Sequence, residues 1–272
     1  MKKALLTTIL LCAVAMTAAA QNIYVTAPTL RNDNLKGPVR AVLTTTVYEV
    51  EEGDEFGSFQ VENCSYDTAG RLLYSIYLLS SGIDGVTTYD YDSQGRLTKV
   101  SARQVPTYTE TYHYNDSDQL ESIEYIGHEQ EKSTYHVVKR DTKGRPLLIE
   151  ETPSGDSLHY TESYEYRADG YSVTERNGRY GIKRRTYYNI NGTMDSVVSG
   201  QNFKETYIYN ANGNLLEERV DGLSNYPDGA VVTYRYPEEE WLTDRHGNWT
   251  TRYITGANGN KIIEMRTILY YE

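Results

Sequence analysis

The chain has 272 residues, of which 39% are hydrophobic, and this is enough to bury a core in one large or two small domains. Lys and Arg total 27 against 38 Asp and Glu, and the resulting net charge of −11 argues against nucleic acids and anionic membrane surfaces as partners. Tyrosine dominates the aromatic residues, with 27 Tyr against 3 Phe and 2 Trp, a usage that indicates an architecture and no particular activity.

The N-terminus has the features of an export signal. A basic start is followed by a short apolar stretch that ends in three alanines at 18–20, as in secretory signal peptides. We therefore expect residues 1–20 to be removed and the remaining chain to be exported. Cys12 follows Leu11 and not the small residue of a lipoprotein signal, so we expect no lipid anchor there. After signal cleavage we expect no membrane span, because no later stretch is long and apolar enough.

Signal removal leaves one cysteine, Cys64, which cannot form an internal disulfide bond. No motif supplies the base that a catalytic thiol requires, so we expect Cys64 to be a half-buried strand residue. We expect residues 21–60 to form a lead-in strand and cap, and residues 61–272 to form one repeat domain with a turn-rich insertion near 221–230.

A seven-residue motif recurs at near-regular spacing. The clearest copies are 66–72, 91–97 and 209–215, the weaker copies are 114–120 and 188–194, and the degenerate copies are 141–145, 166–170 and 244–249. The side chain of Asp or Asn at its second position accepts a hydrogen bond from the backbone N–H two residues later. The Gly three places after this residue adopts the left-handed backbone conformation that completes the hairpin turn. Asp118 replaces this Gly once, and Asp tolerates the left-handed conformation better than most residues.

The segments between the turns alternate as β-strands do. In Thr87–Tyr91 and Glu110–Tyr114, the two tyrosines of Tyr-x-Tyr fall on one face. We expect this face to be the packed side of the sheet, and the alternative is a platform for stacking sugars or peptides. Apolar residues recur two and five places after the turn glycine, as at Leu97 and Val100. Positions three residues apart fall on opposite faces of a regular strand, so the pattern requires either a β-bulge or a sheet that is covered on both faces.

These patterns predict an all-β fold of consecutive antiparallel β-hairpins that form a twisted, curved sheet or a partial β-shell. Hairpin repeats bury their faces only by stacking, so the terminal units should act as caps.

The motif resembles the YD repeat of the Rhs and teneurin family, whose core reads Tyr-Asp-x-x-Gly-Arg-Leu. Residues 66–72 and 91–97 match it fully, 209–215 match with two Asn replacements, and the resemblance extends over about 60–266. It implies β-hairpins that coil into a shell, with activity carried by attached domains for which this chain has no room. Residues 34–40 and 247–249 resemble short secreted members from Gram-negative Bacteroidetes-type bacteria, which implies a location in the periplasm or at the cell surface.

Candidate binding residues lie near the predicted insertion, because irregular loops concentrate function. We place a binding patch at Trp241, Trp249 and Tyr253. We expect no catalytic residue, no cofactor and no metal site. Three evenly spaced histidines suggest a shared metal site, and they are His113, His136 and His159. They stand at different distances from the turns of their repeats, so we do not expect them to align as ligands of one metal ion. Asp90–Gln94 imitates a calcium loop that lacks its closing glutamate.

The leading hypothesis is an exported, non-catalytic repeat protein that binds a polysaccharide or an envelope protein. One alternative is a structural or companion protein for another secreted factor. Another is a glycan hydrolase with an unrecognised carboxylate pair, since 38 acidic residues offer many pairs. The motif does not define an oligomeric state.

Overall fold

The computed structural model describes residues 34–48, 58–80, 82, 84–103, 107–128, 131–153, 160–177, 182–200, 203–222, 231–256, 259 and 261–272. The predicted export signal with Cys12, His159 and most of the predicted insertion near 221–230 lie outside these ranges. The strands are β1 (Val39–Tyr48), β2 (Phe59–Tyr66), β3 (Leu72–Leu79), β4 (Asp84–Tyr91), β5 (Leu97–Arg103), β6 (Tyr108–Tyr114), β7 (Leu120–Ile126), β8 (Lys132–Arg140), β9 (Pro146–Pro153), β10 (Tyr160–Tyr166), β11 (Gly170–Asn177), β12 (Ile182–Asn189), β13 (Met194–Ser199), β14 (Phe203–Tyr209), β15 (Leu215–Asp221), β16 (Val231–Arg235), β17 (Leu242–Thr243), β18 (Trp249–Thr255) and β19 (Lys261–Tyr270).

The first and last strands close the sheet into a barrel. Each strand from β1 to β16 pairs antiparallel with the next, as the registers of all fifteen neighbouring pairs show. The ring continues from β16 to β18 through Arg235 and Thr255, then to β19 and back to β1. The two-residue β17 adds to β18, so eighteen strands form the closed ring.

The all-β antiparallel prediction is confirmed, whereas the prediction of an open curved sheet or partial shell is wrong. β1 carries no copy of the motif, yet it pairs with β2 on one side and with β19 on the other. Its inward residues Val39 and Val42 are buried against Tyr66 and Leu72 of the first hairpin. Closure is favourable because it removes the unpaired backbone groups that both edges of an open sheet would expose.

The motif turns lie together at one end of the barrel, which we call the turn end. In the copy at 92–96, the Gly95 N–H donates to the Asp92 carbonyl at 3.0 Å, and the Asp92 side chain accepts from two further backbone N–H groups. Gly95 has φ = 83°, and Asp118 takes the same left-handed conformation at φ = 60°, as predicted. The degenerate copy at 141–145 forms this turn in full.

A β-bulge after the turn brings both apolar positions to the interior. Tyr91 pairs with Leu97 while Asp90 pairs with Lys99, so Thr98 is the extra residue. Leu97 and Val100 are therefore both buried although three positions separate them. Equivalent register shifts follow the turns of β2–β3, β6–β7 and β14–β15. The structure thus selects the bulge over the alternative of two covered faces.

Tyrosine, aliphatic and glutamate side chains fill the inward face. One buried cluster contains Leu97, Val100, Tyr112, Leu120 and Ile123. A run of interior rings continues from Tyr164 through Tyr166 and Tyr171 to Tyr188, with successive centroids 6.4, 5.9 and 4.7 Å apart. The tyrosine face is therefore the packed side of the sheet. The described part of the chain contains no helix with the length and apolar character that a membrane crossing requires.

Candidate functional site

The motif side chains bind each hairpin to the next at the turn end. Arg71 forms an ion pair with Asp67, and its guanidinium carbon lies 4.8 Å from the centre of the Tyr91 ring in the following copy. The Tyr91 hydroxyl donates to the Leu72 carbonyl at 2.8 Å. This arrangement explains the identity of the motif residues: Asp shapes the turn, Arg holds the next tyrosine, and that tyrosine binds back to the first hairpin.

The contacts repeat in the next copy. The Arg96 guanidinium carbon lies 4.5 Å from the Tyr114 ring centre, and the Tyr114 hydroxyl donates to the Leu97 carbonyl at 2.8 Å. The backbone N–H of Arg96, which bonds the Asp92 carboxylate, is the largest influence that lowers the pKa of Asp92. We therefore assign these motif residues to stability, because their polar groups are used within the barrel.

Residues 34–40 and 247–249, whose sequences resemble short secreted members of the repeat family, contact one another. The Lys36 N–H donates to Asn248 Oδ1 at 2.7 Å, and Asn248 Nδ2 donates to the Lys36 carbonyl at 2.8 Å. Asn248 is buried and also donates to the Tyr270 hydroxyl at 2.8 Å. Reciprocal bonds of this kind fix the last motif copy to the chain that enters β1, so these segments close the barrel at the turn end.

Acidic side chains outnumber basic ones on the inward face of the described strands. Strand alternation and pairing place the following residues there: Glu62, Glu110, Glu151, Glu162, Glu175, Glu205, Glu218 and Glu264, with Arg140, Arg184, Arg252 and Arg266 as the basic residues. Three of these glutamates stand two residues before a Tyr-x-Tyr pair, so a Glu-x-Tyr-x-Tyr pattern in the sequence marks inward acids that the seven-residue motif alone does not reveal.

Glu162 and Glu175 face each other across β10 and β11. They are register partners with 0% and 7% exposure, and the Tyr160 hydroxyl lies 3.0 Å from the first and 3.1 Å from the second. Burial raises the pKa of Glu175 despite the opposing charge of Arg184, 3.9 Å away. Two opposed carboxylates repel when both are ionised, so a raised pKa of Glu175 favours the uncharged form that relieves this repulsion.

A second buried pair of carboxylates lies on β14 and β15. Glu205 accepts a hydrogen bond from the Tyr207 hydroxyl at 3.0 Å, and burial raises its pKa. Burial, followed by the negative charge of Glu205, raises the pKa of Glu218 to about 7. These groups could store or share protons. They are packed within the barrel wall, however, with 3% and 8% exposure, which is poor access for a polysaccharide chain.

An open cleft of about 420 Å³ runs along the outer face of β12 and β13 from the turn end. It begins where the motif is altered, since Arg167 occupies the Asp position of the copy at 166–170. The Arg167 N–H donates to the Gly170 carbonyl at 2.8 Å, which gives a tighter turn than the other copies. Charged, amide, hydroxyl and aromatic groups line the cleft, among them Arg167, Asp169, Tyr187, Asn189, Asp195, Ser196 and Lys204.

Tyr187 is the outward-facing ring of this cleft. The guanidinium carbons of Arg167 and Arg185 lie 5.4 and 5.1 Å from its ring centre. Donors from Arg167 and Lys204 therefore stand in the same cleft as the carboxylate acceptors of Asp169 and Asp195. A cleft of this size with a ring, donors and acceptors suits a ligand rich in hydroxyl groups. The sequence signal for it is the missing Asp at 167, which by itself does not indicate a binding site.

The predicted patch residues lie on two different faces. Trp249 is buried between Arg252 and Arg266, whose guanidinium carbons are 4.2 and 3.7 Å from its ring centre. Trp241 is half-buried and packs against the interior cluster that contains Tyr236, 6.0 Å from the guanidinium carbon of Arg252. Tyr253 stands between inward-facing neighbours of β18 and so points outward. The structure thus brings the two tryptophans together without Tyr253.

The remaining sequence candidates take ordinary positions. Cys64 is half-buried on β2 and packs against the buried cluster that contains Val39, Val42, Tyr66 and Leu72. His113 on β6 and His136 on β8 face outward, and both are register partners of Ser122 on β7, which lies between them. Nε2 of His113 is 3.6 Å from the carboxylate of Glu124. Among the residues with described positions, no group of three or more potential ligands could hold a metal ion.

Comparisons with known proteins give only weak structural similarity. No family model matches the chain, and no curated protein matches it. A porin-like protein from Bacteroides uniformis aligns with a TM-score of 0.45 and 13% identity, over 86% of this chain and 98% of that one. A TcdB2–TccC3–Cdc42 structure aligns at 0.31 and 11% identity over 79% of this chain, and a TcdB2–TccC3–TEV structure at 0.23 and 13% over 77%. The chain spans only 15% and 14% of the latter two chains.

Proposed function

We propose that this chain is an exported, non-catalytic binding protein of the cell envelope that holds a glycan in the cleft on β12 and β13. The observation that carries this proposal is the combination of Tyr187 with donors and acceptors in an open cleft of about 420 Å³. A sugar presents hydroxyl groups that both donate and accept hydrogen bonds. The proximity of Arg167 and Lys204 to Asp169 and Asp195 matches that requirement.

A non-catalytic role is preferred over glycan hydrolysis because of where the acid pairs lie. A hydrolase needs two carboxyl groups on either side of a bound glycosidic bond. Glu162 and Glu175 lie close to each other, but both are buried, so a glycosidic bond cannot lie between them. The cleft itself contains Asp169 and Asp195, but the side chain of Asp169 is 82% exposed and its one ion-pair contact, with Arg167 Nε, is 3.8 Å long, so it is not fixed against a glycosidic bond. We infer that the cleft binds and releases its ligand unchanged.

Substitution of Tyr187 tests the position of the site. We expect Tyr187→Ala to weaken binding by about tenfold, equivalent to about 1.4 kcal/mol, because the aromatic face of the cleft is lost. The wild-type chain is first screened on an array of neutral and acidic oligosaccharides, and the strongest array ligand is then titrated by calorimetry.

Tyr253→Ala is the matched control, because Tyr253 is another half-buried, outward tyrosine and belongs to the patch predicted from the sequence. Unchanged affinity in Tyr187→Ala together with loss in Tyr253→Ala would reject the cleft and favour that patch. Absence of any array ligand for the wild-type chain would contradict the glycan proposal itself.

A further inference from the structure

The outer face of five consecutive strands is almost free of charge. We call the outward positions of β18, β19, β1, β2 and β3 the apolar strip. Its apolar members are Tyr253, Ile263, Met265, Leu269, Leu43, Val47, Phe59, Val61, Tyr74, Ile76 and Leu78. Its polar positions are filled by threonine, serine and asparagine, with Lys261 at one corner and the exposed Arg40 at the bulge of β1.

Strand registers make the strip continuous. Thr45 of β1 is the register partner of Met265 on one side and of Val61 on the other, and Val61 is the partner of Leu78. Leu43, Ile76 and Leu78 are 38–40% exposed, and Leu269 is 54% exposed. These side chains therefore form one surface and are not isolated apolar residues.

The rest of the barrel has a different outer face. Strands β5 and β7 to β16 each present at least one outward charged residue: Lys99, Glu124, Lys132, Glu150, Glu165, Arg176, Arg185, Asp195, Lys204, Glu217 and Arg235. A barrel that crosses a membrane needs an apolar band around its whole circumference, and here that band is confined to five of eighteen strands.

The area of the strip suits an interface between two copies. Five strands about 4.8 Å apart give a width of about 24 Å, and a similar height gives roughly 600 Å² per copy. Because each strip curves with the barrel wall, two copies would bury at most about 1,200 Å² in total, which is at the lower end of specific protein interfaces. Its charged residues, Lys261 and Arg40, stand at its ends and the positions between them carry no charge, so the central parts of two identical strips can meet without repulsion.

We propose that two copies of this chain associate face to face through the apolar strip. This interface is independent of the glycan proposal, since the cleft lies on β12 and β13 on the far side of the barrel. Both clefts remain open in such a dimer and point away from each other.

Sedimentation velocity of the purified full chain over a dilution series tests the interface. We expect wild-type chain to sediment as a dimer, and Ile76→Lys to weaken the dimer by at least about tenfold because a lysine would be buried there without a partner. Ile208→Lys is the matched control, since Ile208 is 37% exposed on β14, outside the strip, against 38% for Ile76. We expect this control to remain a dimer.

Circular dichroism melting of both variants separates dissociation from unfolding. A wild-type chain that stays monomeric at every concentration would overturn the proposal, whether or not the variants fold. Equal dissociation of folded Ile76→Lys and Ile208→Lys would also overturn it. Flotation of monomeric wild-type chain with phosphatidylethanolamine–phosphatidylglycerol vesicles would assign the strip to a lipid surface instead, and would overturn the dimer.

Discussion

Glu218→Gln will stabilise the protein above pH 7. Burial and the nearby charge of Glu205 raise the pKa of Glu218 to about 7, against an ordinary value of 4.5. Above pH 7 the folded state must hold this side chain ionised within the barrel wall, which is unfavourable. Glutamine has nearly the same shape and no charge, so it removes this cost. The difference in pKa corresponds to about 3 kcal/mol in the free energy of unfolding.

The sign of the effect follows from proton binding. The folded state binds the Glu218 proton more tightly than the unfolded chain, so its contribution to stability is complete below pH 4.5 and is lost as pH rises through 7. Burial raises the pKa of Glu110, Glu175 and Glu205 as well, and these groups act in the same direction. The wild-type protein should therefore be more stable at pH 5 than at pH 8.

Urea unfolding at pH 5 and pH 8 measures this difference. We expect Glu218→Gln to match the wild type at pH 5 and to exceed it by about 3 kcal/mol at pH 8. Glu217→Gln is the control on the same strand, because Glu217 faces outward and pairs with Arg219 and Arg235. A Glu218→Gln protein that is less stable than wild type at pH 8 would show that the carboxylate is stabilising there.

Gly170→Ala will destabilise the barrel by about 3 kcal/mol or more. Gly170 lies where the tight turn after β10 meets β12, and an added Cβ would stand 1.9 Å from the Tyr188 carbonyl oxygen. The same Cβ would be 2.9 Å from the Tyr188 carbonyl carbon and 3.0 Å from that of Asn189. These atoms belong to the backbone of a paired strand, so they cannot move aside as a flexible side chain would.

Gly192→Ala provides the comparison in the neighbouring turn. Gly192 has φ = 86° and no atom within 4 Å of an added Cβ, so it should lose only the energy of the left-handed conformation, about 1–2 kcal/mol. Denaturant titration of both variants at one pH measures the two costs. Equal losses would mean that the close approach of Gly170 to β12 does not exist in solution.

The hairpins were predictable because their determinants are local. Asp92 and Gly95 define a turn within four residues, and alternation alone puts Tyr112 and Tyr114 on one face. The position of Asp118 in the left-handed region could likewise be inferred from its place in the motif. Each of these features depends on residues that are neighbours in the chain.

Closure was not predictable, since it depends on the pairing of chain ends that share no motif. Nothing in Val39–Tyr48 alone indicates that it will pair with Lys261–Tyr270, more than 200 residues away. The buried acid pair has the same origin, because Glu162 meets Glu175 only once the unusual turn at 166–170 sets the register. Trp249 points inward because a β-bulge separates it from Thr251, and strand periodicity alone did not show whether that bulge forms.

Disulfide formation between β1 and β19 tests the closed barrel most directly. Thr45 and Met265 are register partners, and antiparallel partners have Cα atoms about 4.5–5.5 Å apart, within reach of a disulfide bond. The control replaces Thr45 and Val61, which are partners across β1 and β2. Both cysteine pairs are placed in a chain with Cys12→Ser and Cys64→Ser, oxidised, and read by mass spectrometry.

The closed barrel predicts an intramolecular disulfide in both double variants, with the mass of a single chain. An open sheet or partial shell would keep the β1–β2 pair and separate β1 from β19. Formation of the Thr45→Cys/Val61→Cys bond without the Thr45→Cys/Met265→Cys bond would therefore contradict the closed barrel.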